Sequence, residues 1–239
     1  MKRAACLVLA LIPVASAARE VPSTGLDASP VSMMGMLALM AVLPFAIMML
    51  TSFSKIIVVL SIARSALGTQ QAPPTIVLTG LAAVLTAHVM APVAERMYAT
   101  GQAAYQEAGS SSQLLSSAGR VTQPLRDFLV KHGSAEERAR FVDLARELRP
   151  PCEASLVGEA DLTVVVPAFV ITELKEAFQI GFLVFLPFLV LDMVVANVLL
   201  ALGMQTLSPS QVSLPFKVLL FVAVDGWGLL ARGLILGYR

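Results

Sequence analysis

Three stretches of this 239-residue chain contain no charged side chain: 28–54, 65–94 and 193–216. Runs of that length are long enough to cross a hydrocarbon layer, which takes about 20 helical residues. They cannot form the water-facing surface of a soluble domain. Residues 95–161, by contrast, hold 18 of the 33 charged side chains (17 basic plus 16 acidic). The chain is therefore two apolar arms around one hydrophilic middle. Composition agrees: 57% of residues are hydrophobic and 14% charged, with a mean hydropathy of +0.80, against about 45–50% and 25% in ordinary soluble domains. A cytosolic enzyme, a disordered tail and a disulfide-stapled mini-protein are excluded as classes. The net charge of +1 argues against a nucleic-acid partner, since phosphate binding needs an excess of Lys and Arg.

Residues 1–18 read as a secretory signal peptide. Lys2 and Arg3 give the positive start, Cys6–Val14 the short apolar stretch and Ala15-Ser16-Ala17 the small-residue site. The alternative is an uncleaved, weak first membrane segment. After cleavage Cys152 is the one cysteine left, so no intramolecular disulfide is expected, and it reads as a bystander.

In the first arm, Ser32–Thr51 is a candidate span interrupted by Pro44, and the apolar run resumes as Ile56–Ile62 before Arg64. Gly68 and Pro73-Pro74 mark a turn, and Thr75–Ala94 is a second span. His88 on that span is read as a packed residue with a local hydrogen bond and not as a proton relay, because no acidic partner is near it in sequence. The second arm opens with Val164–Phe169. It continues as Ala177–Leu202, broken by Pro187 and Asp192, turns at Gly203 and Ser208-Pro209, and ends with Leu214–Leu236 as one segment.

The charges that remain in the arms are the most informative residues: Lys55, Arg64, Glu173, Lys175, Glu176, Asp192, Lys217, Asp225 and Arg232. A charge at the centre of a lipid-facing helix costs about 2.5–3.5 kcal/mol. Snorkelling to the interface relieves that cost for Lys55, Arg64 and Arg232. Asp192 and Asp225 are too short to reach. These groups are therefore expected to pair between helices or between subunits.

Within 95–161, Gly109–Ser117 reads as a Ser-rich loop. Pro124–Leu148 places Leu125, Phe128, Leu129, Phe141, Leu144 and Leu148 at spacings of three, four and seven, which predicts amphipathic helix. Glu136 and Arg140 form an i,i+4 pair. A cleaved signal puts the mature N-terminus, the middle and the C-terminus outside the cytoplasm, with the 55–74 connection inside. Lys55 and Arg64 on that connection follow the positive-inside tendency. The expected domains are thus 19–94 as a helical hairpin, 95–161 as a small helical periplasmic insert and 162–239 as a second hairpin.

No P-loop, G-x-S-x-G, H-E-x-x-H, C-x-x-C or dinucleotide-binding glycine pattern occurs. Two histidines and one mature cysteine cannot furnish a zinc site. Carboxylates do cluster, at Glu136-Glu137 on a charged face and at Glu173/Glu176 around Lys175. Neither pair has a nucleophile or orienting group nearby. The chain is expected not to be an enzyme and to need no cofactor.

Six stretches resemble the FliP/SctR (YscR) family of the type III secretion and flagellar export apparatus. They are Met48–Lys55 (MMLTSFSK), Leu67–Pro74 (LGTQQAPP), Val165–Phe169 (VVPAF), Glu173–Phe182 (ELKEAFQIGF), Ser213–Lys217 (SLPFK) and Val224–Trp227 (VDGW). They fall in order across both arms.

The resemblance implies an all-α membrane-associated protein of two long kinked helical hairpins, assembling as a homo-oligomer, a pentamer, into a helical ring. FliQ/SctS-type and FliR/SctT-type export subunits would complete the gate. Surrounding basal-body ring and export switch proteins, and the secreted protein substrates, are further partners. The place implied is the bacterial inner membrane, multi-pass, at the base of a secretion or flagellar basal body. The function implied is the channel of a protein export gate for unfolded substrates. The family's methionine-rich constriction falls on the loop near 203–209, where Met204, Gln205 and Thr206 stand and one methionine of that run remains. Leu207–Pro209 with Val212–Lys217 looks closer to the injectisome branch than to the flagellar one, while the signal segment looks flagellar. A small-solute or proton-coupled transporter, carried by His88 and Asp192, is the reading from another class.

Overall fold

The computed structural model of the chain describes residues 30–69, 72–107, 111–204 and 206–239. The expected signal segment 1–18 with Cys6, and Gln205 of the constriction, lie outside the described residues, as does the side chain of Cys152. The chain divides into two compact units, Met1–Leu39 and Met40–Arg239. The described part of the first is the opening of helix α1 (Pro30–Met49), where Met33, Met34, Met36 and Leu37 are all exposed.

The second unit is built of helices joined by short turns, with no strand among its described residues. It holds the rest of α1, α2 (Phe53–Ala66), α3 (Thr75–Glu107), α4 (Ser111–His132) and α5 (Ala135–Glu147), then α6 (Pro151–Ala154), α7 (Leu162–Ala201), α8 (Pro209–Ala223) and α9 (Gly226–Leu236). Its core forms around α2. Ile56, Val59, Leu60, Ala63 and Ala66 recur every three or four residues and are almost fully buried, the single-face spacing of an α-helix. Against them pack Leu78, Ala82 and Leu85 of α3, Ala177 and Phe188 of α7, and Phe221, Leu230 and Leu234 of α8 and α9. Small residues on α7 let α2 come close. A Cβ at Gly181 would stand 2.4 Å from the Ile62 side chain, so Ile62 fills the space that the glycine leaves.

The middle of the chain docks on the N-terminal part of α7. Phe128 and Leu129 of α4 meet Val165 and Phe169, and Val142 of α5 with Val157 meets Val164. Glycine is required at the α4–α5 corner, because a Cβ at Gly133 would lie 2.9 Å from the Leu129 carbonyl oxygen.

The structure redraws several sequence boundaries. Helix α3 does not stop at Ala94 but runs on unbroken to Glu107, with Pro92 inside it, so the expected domain boundary falls within one helix. Proline at that point leaves the helix continuous, as the membrane setting often permits. Pro44 likewise stays inside α1, and the break comes at Leu50–Ser52 instead. The Ser-rich stretch expected as a loop is helical from Ser111. The final segment, expected as one, divides into α8 and α9, bent by 58°. Asp225 makes that bend in a left-handed conformation with φ 51.

Among the described residues two helices, α3 and α7, are long and apolar enough to cross a membrane, and the count rises to four if each bent helix pair forms one span. At about 1.5 Å per residue, the 40 residues of α7 extend twice the thickness of a hydrocarbon core of roughly 30 Å.

Candidate functional site: two polar stations along α7

The first station is a single turn of α7, Thr172–Glu176, and it faces three other segments. Lys55 on α2 is buried, with its Nζ 2.9 Å from Glu173 Oε1 as an ion pair and donating to Glu176 Oε2 at 2.6 Å. Glu173 is fully buried, and the Tyr238 hydroxyl donates to its Oε2. The Lys55 ammonium also stands 4.3 Å from the centre of the Tyr238 ring, within cation–π range. Phe128 and His132 of α4 pack against the same ring, with centroids at 6.0 and 5.1 Å.

The same turn ties in the middle of the chain. Thr172 Oγ1 accepts from the Ser134 backbone N–H at 3.0 Å, and Lys175 donates to Glu137 Oε1. Glu137 also lies 3.3 Å from Arg140, and Glu136 2.6 Å from the same guanidinium. The hydrogen bond from Lys175 holds the Glu137 carboxyl below its ordinary range. The sequence places Glu137 on a charged face; the structure turns it inward, because Lys175 of α7 reaches it there. His132 is half-buried, and burial, then Lys131 and Lys55, push its pKa down.

The second station joins α7 to α8. Lys217, buried, donates to Asp192 Oδ2 at 2.6 Å, and the Ser213 hydroxyl donates to Asp192 Oδ1 at 2.5 Å. The Lys217 ammonium lies under the α2–α3 connection, where a Cβ at Gly68 would be 3.8 Å from it. Gly68 has φ +74, a conformation glycine adopts at no steric cost.

Beyond this station the α7–α8 hairpin has almost no core of its own. From Met193 to Phe216 only Leu199 and Ser213 are buried among the described residues. Its tip is made by Gly203 at φ +71, with Gly203 N–H bonding the Leu200 carbonyl and Met204 N–H the Leu199 carbonyl, both at 3.0 Å. That is the helix-ending pattern glycine favours. Pro209 then opens α8. Met204 and Thr206 are exposed at the tip.

Of the sequence-derived charges, Lys55, Glu173, Lys175 and Glu176 thus meet at one station, and Asp192 and Lys217 at the other. Arg64 stands apart, donating to Thr75 Oγ1 at 3.0 Å. Asp225 stands apart too. It makes no ion pair among the described residues, and its carboxylate folds over Gly228, where a Cβ would meet Oδ2 at 2.2 Å. His88 is exposed on α3 and not packed. Sequence reasoning missed Tyr238, Ser213, Thr172 and Glu137 as members. A buried tyrosine hydroxyl at the end of an apolar helix needs a partner, which is a usable signal, yet nothing local identifies one 65 residues away.

The chain as a whole is similar to known proteins over most of its length. A family model described as the FliP family matches residues 36–234. The chain is 44% identical to "Hypersensitivity response secretion protein HrcR" of Ralstonia nicotianae, over 87% of this chain and 97% of that protein. It is 44% identical to "Yop proteins translocation protein R" of Yersinia pestis, over 84% and 93%. It is 39% identical to "Flagellar biosynthetic protein FliP" of Caulobacter vibrioides, over 98% and 88%.

Proposed function

The chain belongs to the FliP family, and from that premise we propose that it is a channel-forming core subunit of a type III protein export gate. Unfolded proteins would cross the bacterial inner membrane through it. The observation that carries this reading is the bare α7–α8 hairpin. Large apolar side chains such as Met193, Val194, Val198, Leu200, Phe216 and Leu219 are exposed along it, while its charges are turned inward onto each other. Apolar surface of that extent requires a cover, and neighbouring copies supply one.

In this reading about five copies form a helical ring with FliQ/SctS-type and FliR/SctT-type subunits, inside the basal-body ring and above the export switch proteins. The 203–209 tips, with Met204, Gln205 and Thr206, point into the pore and narrow it. Methionine, flexible and polarizable, suits a seal that must deform around a passing chain. Residues 95–161 form the periplasmic insert, after removal of the signal segment 1–18. The two stations hold the hairpins of each subunit in register, and Arg64 and Asp225 remain as candidates for contacts between subunits. We place the chain on the injectisome branch because of Leu207–Pro209 and Val212–Lys217. The solute-transporter alternative loses its footing where Asp192 is engaged by Lys217 and Ser213.

Two measurements test this. Met204→Ala should raise the leak of small ions through cells or vesicles carrying the assembled gate, with secretion retained; an unchanged leak removes Met204 from the seal. Restoring secretion in an injectisome deletion strain, and not motility in a flagellar one, is the expected branch result. Rescue of neither would overturn the export-gate reading.

A further inference from the structure

Two features of the middle of the chain are left unused by the export reading. The first is a cavity of about 190 Å³ between α3, α4 and the segment after α9. A closed space of about 150 Å³ takes a benzene ring, so this one has room for a leucine side chain. Val89, Pro92 and Val93 of α3 give it an apolar side, and two cations, Arg96 and Lys131, stand in its wall. Both are exposed. Arg96 makes no hydrogen bond or ion pair among the described residues, and Lys131 reaches only the main-chain oxygen of Arg239, at 3.5 Å. Asp127, the one carboxylate in the wall, already accepts from Gln123 at 2.8 Å. The cavity is an apolar hole with positive charge left over.

The second feature is a patch at the end of α5. Leu144 and Leu148 stand one turn apart there, and Leu148 is 85% exposed. Leu156, just past α6, is 78% exposed. Carboxylates accompany these leucines. Asp143, Glu147, Glu153 and Glu159 are all exposed, and none of their side chains makes a hydrogen bond or ion pair among the described residues. Arg140 is held by Glu136 and Glu137, and Arg146 donates to the Val157 carbonyl at 3.3 Å. That leaves Arg149 as the one neighbouring cation without a partner among the described residues. Asp143 and Glu147 are a like-charge i,i+4 pair, which weakens the helix that carries it. Cations from outside would relieve that repulsion. An apolar centre with charge around it is the anatomy of a contact surface.

The two features match in shape and in sign: a knob beside carboxylates, and a hole beside cations. No residue belongs to both. One copy can therefore give its knob to a second while its own hole receives the knob of a third. That is a head-to-tail contact, the kind that repeats around a ring.

We propose that Leu148 of one copy seats in the α3–α4 cavity of the next, with Asp143 and Glu147 against Arg96 and Lys131. The contact rests on the ring reading above and names where the copies interlock. It uses no residue of the α7–α8 hairpin, so it stands or falls separately from the hairpin contacts.

The test uses the full chain, with Cys6 and Cys152 changed to Ser, assembled in the membrane with its partner subunits. Val93→Cys is placed on a chain with one affinity tag and Leu148→Cys on a chain with another, and the two are co-expressed. A disulfide needs Cα atoms within about 7 Å, so mild oxidation should give a dimer carrying both tags. Either cysteine chain expressed alone should give none. Charge supplies the second arm. R96E/K131E and D143K/E147K should each lower recovery of the assembly about tenfold, and both sets combined in one chain should restore most of it. Assemblies of unmodified size with no two-tag dimer would overturn the contact. So would a Leu148→Cys crosslink to a different subunit, or a combined variant recovered no better than the separate sets while its unfolding temperature is unchanged. If the unmodified chain itself runs as a monomer, the ring reading fails, and this contact fails with it.

Discussion

Lys55 and Glu173 show what a buried charge demands. Glu173 is fully enclosed, so its carboxylate depends on Lys55 and on the Tyr238 hydroxyl. Removing one partner of a buried pair costs about 3–5 kcal/mol, whereas replacing both by apolar groups is often neutral. Lys55→Met should therefore lower the stability of the detergent-solubilised protein by about 3–5 kcal/mol, and Lys55→Met/Glu173→Leu should recover most of it. Tyr238→Phe removes one donor and should cost ~1–3 kcal/mol. Thermal unfolding of the four proteins side by side checks both statements.

His132 gives a pH dependence at the same scale. Its folded pKa lies below the ordinary 6.5 because of burial, then Lys131 and Lys55, with Glu176 opposing. Between the folded and unfolded values the unfolded chain holds more protons, so stability rises with pH there. The contribution is complete above 6.5 and is lost as pH falls through the folded value. His132→Gln should flatten the stability profile in that window. A profile unchanged by the substitution would remove His132 as its source. How far residues were legible follows from the same physics. Lys55, Glu173 and Asp192 stood out because charge in an apolar run is anomalous. Their partners did not, since pairing across 121 residues, as between Lys55 and Glu176, is a property of the packed chain and leaves no local trace.

At the scale of elements, the α2–α7 contact depends on a missing side chain. Gly181→Ala would bring a methyl group to 2.4 Å from Ile62. Overpacking of this kind costs about 1–3 kcal/mol. Ile62→Ala should relieve it, and the double substitution should be more stable than Gly181→Ala alone in the same unfolding assay. Helices were legible where their apolar spacing was regular, as along Ile56–Ala66. The α8–α9 break was not, because Val224-Asp225-Gly226 reads as continuous apolar helix with one polar interruption. Only the folded chain shows Asp225 left-handed and its carboxylate lying over Gly228. The run of α3 past Glu95 was illegible for the opposite reason. Polarity changes there, but helix propensity does not, and Glu, Arg, Met and Ala are all good helix formers.

For the whole molecule, the exposed apolar faces of α7 and α8 set the expectation. The protein extracted in mild detergent should run as an assembly of about five copies, alone or with its partner subunits, by mass measurement. Asp192→Ala should lower recovery of that assembly more than it lowers expression of the chain, since the hairpin would lose the bridge that holds it to its neighbours in the fold. A stable monomer would remove the reading of these faces as contact surface.

Helix α7 is fastened twice, at Glu173–Glu176 and again at Asp192, and the two fastenings point in different directions around its axis. Glu173 and Asp192 are 19 residues apart in the chain, which at about 100° per residue leaves them roughly 100° apart in azimuth. One is bolted to α2 and the other to α8. A rod held on two such sides cannot roll. The compliance left to it is flexure, and Pro187 lies between the bolts, where a missing N–H makes the rod softest. Motion of the hairpin tip would then be a swing about Pro187 and not a twist.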